Sequence, residues 1–225
     1  MSEGEMGLRE RKRLLTYRTV SDTAIALFLE RGFDEVSVAE VAAAAGISKP
    51  TLFRYFPAKE DLVLHRLADH EGEAARAVAA GRAAGLAPLV ALHRDVRDGL
   101  DRREPVTGLN DDPAVLAFHG LLYGTPALVA RLSGHLERAE EHLARALAPD
   151  VPADRSAPVT ARLAAAQVIA VRRVLALENR RRIVAGASAA EVAQGAHARA
   201  DAAFADLCAG LPRYAPTTGG TEATE

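Results

Sequence analysis

The stretch that most constrains the fold runs from Ser37 to Phe56, SVAEVAAAAGISKPTLFRYF. Ser37 is followed three residues later by Glu40, which is the capping-box pattern of a helix start. The alanine-rich segment after it ends at Gly46, a residue type that accepts the left-handed backbone found just beyond a helix C-terminus. A second helix begins at the serine two residues later, and its Leu52 and Phe56 are spaced to share one buried face. The stretch therefore predicts two short helices joined by a tight turn.

The second predicted helix has a basic, hydroxyl-bearing outer face. Turned away from its buried side are Lys49, Thr51, Arg54 and Tyr55. A short helix, a tight turn and a second helix with such a face are the parts of a helix-turn-helix that docks in the major groove of DNA. The alternative for residues 37–56 is an ordinary corner between two helices of a bundle.

Composition limits how such a chain can contact nucleic acid. The net charge is −2, so contact with DNA must come from a local patch and not from a basic coat. The single cysteine, Cys208, excludes an internal disulfide and indicates a reducing compartment. No apolar run approaches membrane-spanning length, and the charged N-terminus lacks a signal-peptide core. We therefore expect a cytoplasmic protein that does not contact a membrane.

The remaining pattern is helical throughout, which predicts an all-α fold of about nine helices. A three-helix head is expected to form from a helix ending at Gly32 and the two helices of residues 37–56, followed by a helix from Lys59 to about Gly81. A larger helical bundle follows it and closes with two long helices, the second of which begins with a capping box at Ser188. The predicted domains are residues 1–70, residues 71–211 and a disordered tail, residues 212–225.

Residues 9–70 resemble the DNA-binding head of the TetR family of bacterial transcription regulators. The matching segments are AIALFLERGFDEVSV and VAAAAGISKPTLFRYFPAKEDLV, the second with the order Gly-x-Ser-x-x-x-Leu-x-x-Tyr-Phe-x-x-Lys-Glu-x-Leu. Beyond about residue 70 the resemblance is weak. One departure is Pro50, where many members carry glycine; proline is tolerated there because the position lies in the first helical turn.

The resemblance implies eight DNA-contacting residues: Ser37, Lys49, Pro50, Thr51, Phe53, Arg54, Tyr55 and Lys59. The hydroxyl groups, the lysine ammonium groups and the helix-start N–H groups would contact phosphates. Arg54 would read a guanine edge, and Phe53 or Pro50 would touch a thymine methyl group. The alternative for Phe53 is packing against the first helix, and for Lys59 it is solvation at a helix start.

The resemblance also implies a homodimer, in which the last two helices pair with their copies in a second subunit. The alternative is that these helices form a core within one chain. The body is expected to bind a small effector between its helices, as bundles commonly do. The candidate contacts are His119 and Tyr123 with Gln167 and Arg173, each of which is otherwise a satisfied core or surface group. The chain also resembles the subgroup of TetR regulators that sense acyl-CoA-like ligands, and this resemblance implies an acyl-CoA-like or other hydrophobic effector. The arginines between Arg172 and Arg182 either meet an anionic ligand or are solvated.

No pattern in the chain indicates catalysis or a cofactor. The seven histidines lack metal-ligand spacing, and neither a phosphate-binding loop nor a nucleophile elbow occurs. The prediction is a regulator that binds double-stranded DNA sequence-specifically. We expect a ligand-responsive repressor that binds a near-palindromic operator as a dimer. The alternative is a regulator controlled by a protein partner, or an activator, without a small-molecule ligand.

Overall fold

The computed structural model describes residues 8–68, 70–150 and 157–216. These residues form ten α-helices and no strand, so the all-α prediction is confirmed. The helices are α1 (Leu8–Arg31), α2 (Val38–Ala44), α3 (Lys49–Tyr55), α4 (Asp61–Ala68), α5 (Glu73–Ala83), α6 (Pro88–Asp101), α7 (Pro113–Gly124), α8 (Pro126–Leu147), α9 (Ala157–Val184) and α10 (Ala189–Gly210). The single helix expected from Lys59 to Gly81 is two helices, α4 and α5, because the chain turns at residues 70–72.

The chain folds as two compact units that do not follow the order of the sequence. Unit 1 consists of the described residues up to 68 together with Leu116–His135. Unit 2 consists of His70–Val115 and the described residues from Leu136 onward. The helices α7 and α8 therefore each contribute residues to both units.

The helix ends of unit 1 form as their sequence patterns predict. The helix α1 ends at Gly32, whose φ of +95° favours glycine and whose N–H donates to the Phe28 carbonyl at 2.9 Å. The Phe33 ring then folds back onto Phe28, with 4.9 Å between ring centroids. Ser37 and Glu40 form the predicted capping box at the start of α2. These contacts fix the direction in which α2 and α3 leave α1.

The core of unit 1 includes two leucines from far along the chain. Leu52 and Phe56 of the predicted helix-turn-helix are 0% and 1% exposed. They belong to one buried cluster with Leu122 of α7 and Leu128 of α8, which are 1% and 0% exposed. The hydrophobic core of the head is therefore completed by residues that the expected division at residue 70 assigns to the body.

Unit 2 is built around the packing of α5, α6, α9 and α10. The segment at residues 105–108 approaches α9 closely, since a Cβ atom on Gly108 would lie 2.0 Å from the Ala176 carbonyl oxygen. The buried Asn179 holds this contact: its Nδ2 donates to the Thr107 carbonyl at 3.0 Å, and its Oδ1 accepts from Arg199 at 2.9 Å. Such pairing is what a buried amide requires.

The C-terminal end of unit 2 differs from expectation. The capping box at Ser188 is present as predicted, at the start of α10. Disorder was expected from Pro212, but Pro212–Tyr214 form a short 3-10 helix in which Tyr214 is 1% exposed. Burial of this aromatic side chain holds the segment against the unit. The rest of the expected tail, residues 217–225, lies outside the described residues.

Within the described ranges, no single helix is both long and apolar enough to cross a membrane. Two pairs of helices, each sharply bent at a short break, meet that test only when the members of a pair are taken together, by length and composition alone.

Candidate nucleic-acid interface

The helix α3 is anchored on one side and exposed on the other. At its start the Ser48 hydroxyl accepts from the Thr51 backbone N–H at 3.2 Å and lies 2.8 Å from the Thr51 hydroxyl. Pro50 stands in the first turn, where no N–H is needed within the helix. On the inner side, Leu52 is fully buried. The side chains of the opposite side are therefore held on a fixed support.

The outer face of α3 presents cations and one aromatic ring. Lys49 and Arg54 are exposed, and the Phe53 side chain is 40% exposed. The Lys49 ammonium lies 5.9 Å from the centre of the Phe53 ring, within the range of a cation–π contact. The exposure of Phe53 favours the DNA-facing interpretation over packing against α1.

Tyr55 is half-buried and ties α3 to the rest of the head. Its ring meets the ring of Tyr17 in α1 edge-on, with 4.9 Å between centroids. Tyr17 also stacks on His65 of α4 at 4.9 Å and meets Phe56 edge-on at 5.1 Å. Tyr17 is thus the aromatic centre at which α1, α3 and α4 meet.

The Ser37 N–H, one of the predicted phosphate donors, already has a partner. It donates to Glu40 at 2.8 Å, and the Ser37 hydroxyl oxygen accepts from the Glu40 N–H at 3.2 Å. Arg31 donates to the second oxygen of the same carboxylate at 2.8 Å. The bonds that the carboxylate accepts, first from the Ser37 backbone, then from the Ser37 side chain and from Arg31, lower the pKa of Glu40 to about 2. The Ser37 hydroxyl hydrogen is therefore also engaged by Glu40 within the cap.

Lys59 is partly buried and contacts the interior of the head. Its ammonium group donates a hydrogen bond to the Phe33 carbonyl. It also lies 4.4 Å from the centre of the Phe33 ring and 5.4 Å from that of Phe28. The charge therefore links the start of α4 to the end of α1, which is a structural role that the sequence pattern did not suggest.

The four residues predicted to bind an effector are divided between the units. His119 is buried at 8% exposure, and its ring centroid lies 5.9 Å from that of Tyr123; both belong to unit 1. Gln167 and Arg173 are exposed residues of α9 in unit 2, and Gln167 donates to the Leu163 carbonyl of its own helix at 3.2 Å.

A cavity of about 340 Å³ lies in unit 2, and none of these four predicted residues lines it. Its lining residues are Glu137, Glu140, Glu141, Val159, Arg162, Leu163 and Ala166.

Part of the arginine cluster of α9 is engaged within the chain. Arg172 pairs with Asp95 of α6 at 3.0 Å. Arg181 and Arg182 both pair with Glu178, each at 2.8 Å, and lower its pKa to about 2. The pairs of Arg181 and Arg182 favour a solvated, ion-paired helix end, whereas Arg172 forms a partly buried pair in the interior of α9. In the described part of the chain, no three His, Cys, Asp or Glu residues are grouped as metal ligands.

Two further ion pairs bind α4 into unit 1, and sequence patterns gave no sign of either. Arg66 donates to Asp22 of α1 at 2.6 Å and lies 5.6 Å from the centre of the Phe118 ring. Arg131 of α8 donates two hydrogen bonds to the Asp61 carboxylate, at 2.9 and 3.0 Å. The partners are 44 and 70 residues apart, so no local spacing could have revealed them.

A helix-turn-helix with one buried side, whose second helix carries an exposed basic face, defines a DNA-binding protein of the helix-turn-helix class. Residues 21–65 match the sequence model of bacterial regulatory proteins of the tetR family. The HTH-type transcriptional regulator TcmR of Streptomyces glaucescens is 32% identical over 173 residues, which are 76% of this chain and 76% of TcmR. The chain therefore belongs to the TetR family of bacterial transcriptional regulators. It is a DNA-binding regulator and not an enzyme.

Other regulators and solved structures are also similar to this chain. The transcriptional regulator MftR of Mycobacterium tuberculosis is 51% identical over 49 residues, 22% of this chain and 25% of MftR. Among solved structures, the repressor FadR of Thermus thermophilus in complex with lauroyl-CoA has a TM-score of 0.50 at 24% identity, over 91% of this chain and 100% of that chain. GusR of Salmonella enterica has a TM-score of 0.51 at 20% identity, over 88% of this chain and 96% of that chain. These structures show a shared fold.

Proposed function

We propose that this regulator is a ligand-responsive repressor that binds a near-palindromic operator as a dimer. The observation that carries the proposal is the two-sided helix α3, with Leu52 fully buried behind it and Lys49, Phe53 and Arg54 exposed in front. Two such helices, one from each subunit, would enter successive major grooves. We assign DNA binding to residues 1–70, whose core is completed by residues from 116–135, and effector binding and dimerisation to residues 71–211.

The exposed side chains of α3 divide into two kinds of contact. Arg54 is the base reader, because its planar fork matches the O6 and N7 acceptors of guanine. Phe53 and Pro50 present apolar surface to a thymine methyl group. Lys49, the hydroxyl of Thr51 and the Tyr55 hydroxyl contact phosphates. For Tyr55 this role agrees with the packing of its ring against Tyr17, which would aim the hydroxyl group.

Exposed apolar stripes on α9 and α10 support the dimer. On α9, Val159, Leu163 and Val174 are 58%, 59% and 57% exposed. On α10, alanines spaced four, three and four residues apart are exposed: Ala198, Ala202, Ala205 and Ala209. The other small-residue face of α10, with Ala196 and Ala200, is buried within the chain at 2% and 1% exposure. One face of α10 thus serves the subunit core, and the other is free for close approach of a second copy.

The effector is proposed to be a hydrophobic small molecule. Acyl-CoA compounds are the first class to test, because FadR of Thermus thermophilus was solved with lauroyl-CoA on the same fold. A thermal-shift screen of the full chain against acyl-CoAs, free fatty acids and aromatic compounds measures this directly. Binding raises the melting temperature in proportion to the logarithm of ligand excess over Kd. A screen without any shift, together with intact operator binding, would favour control by a protein partner.

Footprinting on DNA upstream of the gene for this chain tests the DNA-binding proposal. Protection of two half-sites about one helical turn apart, or a multiple of it, is the expected result. Arg54→Ala should relax one base position in each half-site at a cost of about 1–3 kcal/mol. The matched control is Arg94→Ala, which removes an exposed arginine of α6 and should leave the footprint unchanged. An absence of protection at every salt concentration would refute the proposal.

A further inference from the structure

The helix α8 carries two arginine–carboxylate forks, seven residues apart and one in each unit. In unit 1, Arg131 donates through Nε to Asp61 Oδ1 at 2.9 Å and through its terminal nitrogen to Oδ2 at 3.0 Å. In unit 2, Arg138 donates through Nε to both oxygens of Glu71 at 3.0 Å and through its terminal nitrogen to Oε1 at 2.9 Å. The two forks are alike in chemistry, but their carboxylates stand at different places in the chain.

Asp61 is also bonded to the turn that follows α3, the recognition helix of the helix-turn-helix. The same Oδ2 that accepts from Arg131 also accepts from the backbone N–H of Ala58 at 3.0 Å. Ala58 comes two residues after Phe56, which ends α3. Arg131 therefore donates to a carboxylate that also accepts a hydrogen bond from the turn between α3 and α4. Glu71 lies in the turn after α4 and not in the α3–α4 turn.

We propose that Arg131 is a positioning residue for sequence-specific DNA binding, acting through Asp61 on the α3–α4 turn. The proposal rests on the proposed function, and it names a residue on which the specificity of DNA binding depends. A two-bonded fork fixes the direction of a carboxylate as well as its charge. With the fork in place, Asp61 holds the Ala58 N–H in one orientation, and α3 leaves the turn at one angle. Without it, Asp61 is free to rotate, and α3 samples several angles.

The fork contributes orientation more than stability. The Arg131 side chain is 48% exposed, and ion pairs in such positions stabilise a fold only weakly. The folding of this region depends instead on buried residues such as Leu122 and Leu128. Removal of the guanidinium group should therefore leave a folded head whose recognition helix is less well directed. Base reading requires side chains to be placed within a fraction of an ångström, whereas contact with phosphates tolerates more freedom.

The test compares Arg131→Met with Arg138→Met in the full-length chain. Both variants keep the apolar stem of the side chain and lose one fork. The preferred DNA sequence of the wild type is first selected from a random duplex library. The Kd of each protein is then measured for that duplex and for an unrelated duplex, at several salt concentrations. Melting temperatures are recorded for all variants.

We expect Arg131→Met to lower the ratio of specific to non-specific affinity at least tenfold, with the salt dependence unchanged. Arg138→Met should keep the wild-type ratio at a similar melting temperature. Arg131→Lys, which keeps the charge but loses the fork, should recover only part of the ratio. The proposal is overturned if Arg131→Met and Arg138→Met give the same ratio. It is also overturned if Arg131→Met reduces, by about one, the magnitude of the slope of log binding constant against log salt concentration. Arg131 would then contact a phosphate directly.

The failure of the proposed function would look different. In that case the wild type would select no preferred sequence from the library, and this proposal would fall with it. If the wild type selects a sequence but Arg131→Met leaves the ratio of specific to non-specific affinity unchanged, only the role of Arg131 is overturned.

Discussion

Leu128 and Leu143 lie on the same helix, α8, and both are 0% exposed, but they belong to different units. Leu128 packs in the core that contains Leu52 and Phe56 of the helix-turn-helix. We therefore predict that Leu128→Ala loosens the DNA-binding head, although the substitution lies far from it in sequence. Leu143→Ala should loosen unit 2.

The magnitude follows from complete burial. A leucine-to-alanine change at such a site costs about 2–5 kcal/mol, since the transfer free energy of the removed groups is lost and a cavity remains. If unit 1 opens by itself, its most protected amides should exchange faster by about 30-fold to several thousand-fold. The same factor should apply to unit 2 in Leu143→Ala.

Hydrogen exchange measured by mass spectrometry on the full chain resolves the two effects. In Leu128→Ala, faster exchange is expected in peptides from α1 and α4, with peptides from α6 and α10 close to wild type. The pattern should be reversed in Leu143→Ala. Equal acceleration of both units in both variants would refute independent opening. Unchanged exchange of α1 and α4 in Leu128→Ala would refute the place of Leu128 in the head core.

Three further predictions concern single side chains. Lys59→Met keeps the aliphatic stem and should lower the melting temperature of the head. The slope of the logarithm of the DNA-binding constant against the logarithm of the salt concentration should not change. A slope smaller in magnitude by about one would instead show that Lys59 contacts a phosphate. Because the pKa of Glu40 is lowered from 4.5 to about 2 in the folded chain, its contribution to stability is complete above about pH 4.5 and is lost as the pH falls towards 2. Acid titration followed by circular dichroism should show this loss in the wild type but not in Glu40→Gln, and identical titrations would contradict it. Val174→Glu should convert dimers to monomers in sedimentation velocity, whereas Ala79→Glu on the exposed side of α5 should not; dimers in both would move the interface away from α9.

The helix ends were predictable because each depends on residues three or four positions apart. Ser37 with Glu40, and Ser188 with its glutamate, form the bonds that the capping-box pattern requires. The turn at Gly46 likewise needs only a residue that accepts a φ of +69°. Local chemistry decides these features before any tertiary contact forms. The all-α class followed from the same local patterns.

Other features depend on contacts that local patterns do not encode. The pairing of Asp61 with Arg131 and the burial of Leu128 in the head join segments that are remote in sequence. Lys59 illustrates a second limit, since its charge suggested a phosphate contact and its hydrogen bond to Phe33 became visible only in the fold. The turn before α5 does have a local signal, because the glycine Gly72 directly precedes the first helical residue, Glu73. The proposed effector contacts stay a prediction, because a pocket is a property of tertiary packing and local patterns do not encode it.

The sharing of core residues by α7 and α8 bears on the engineering of chimeric regulators. Exchange of DNA-reading heads between relatives is naturally planned as a single cut near residue 70. Such a cut would leave the new head facing Leu122 and Leu128 of the old chain, with mismatched volumes in a close-packed interior. A graft that also carries residues 116–135 from the donor would keep the matching surfaces together. The transferable part of this regulator is therefore a discontinuous module, assembled from two separated lengths of chain.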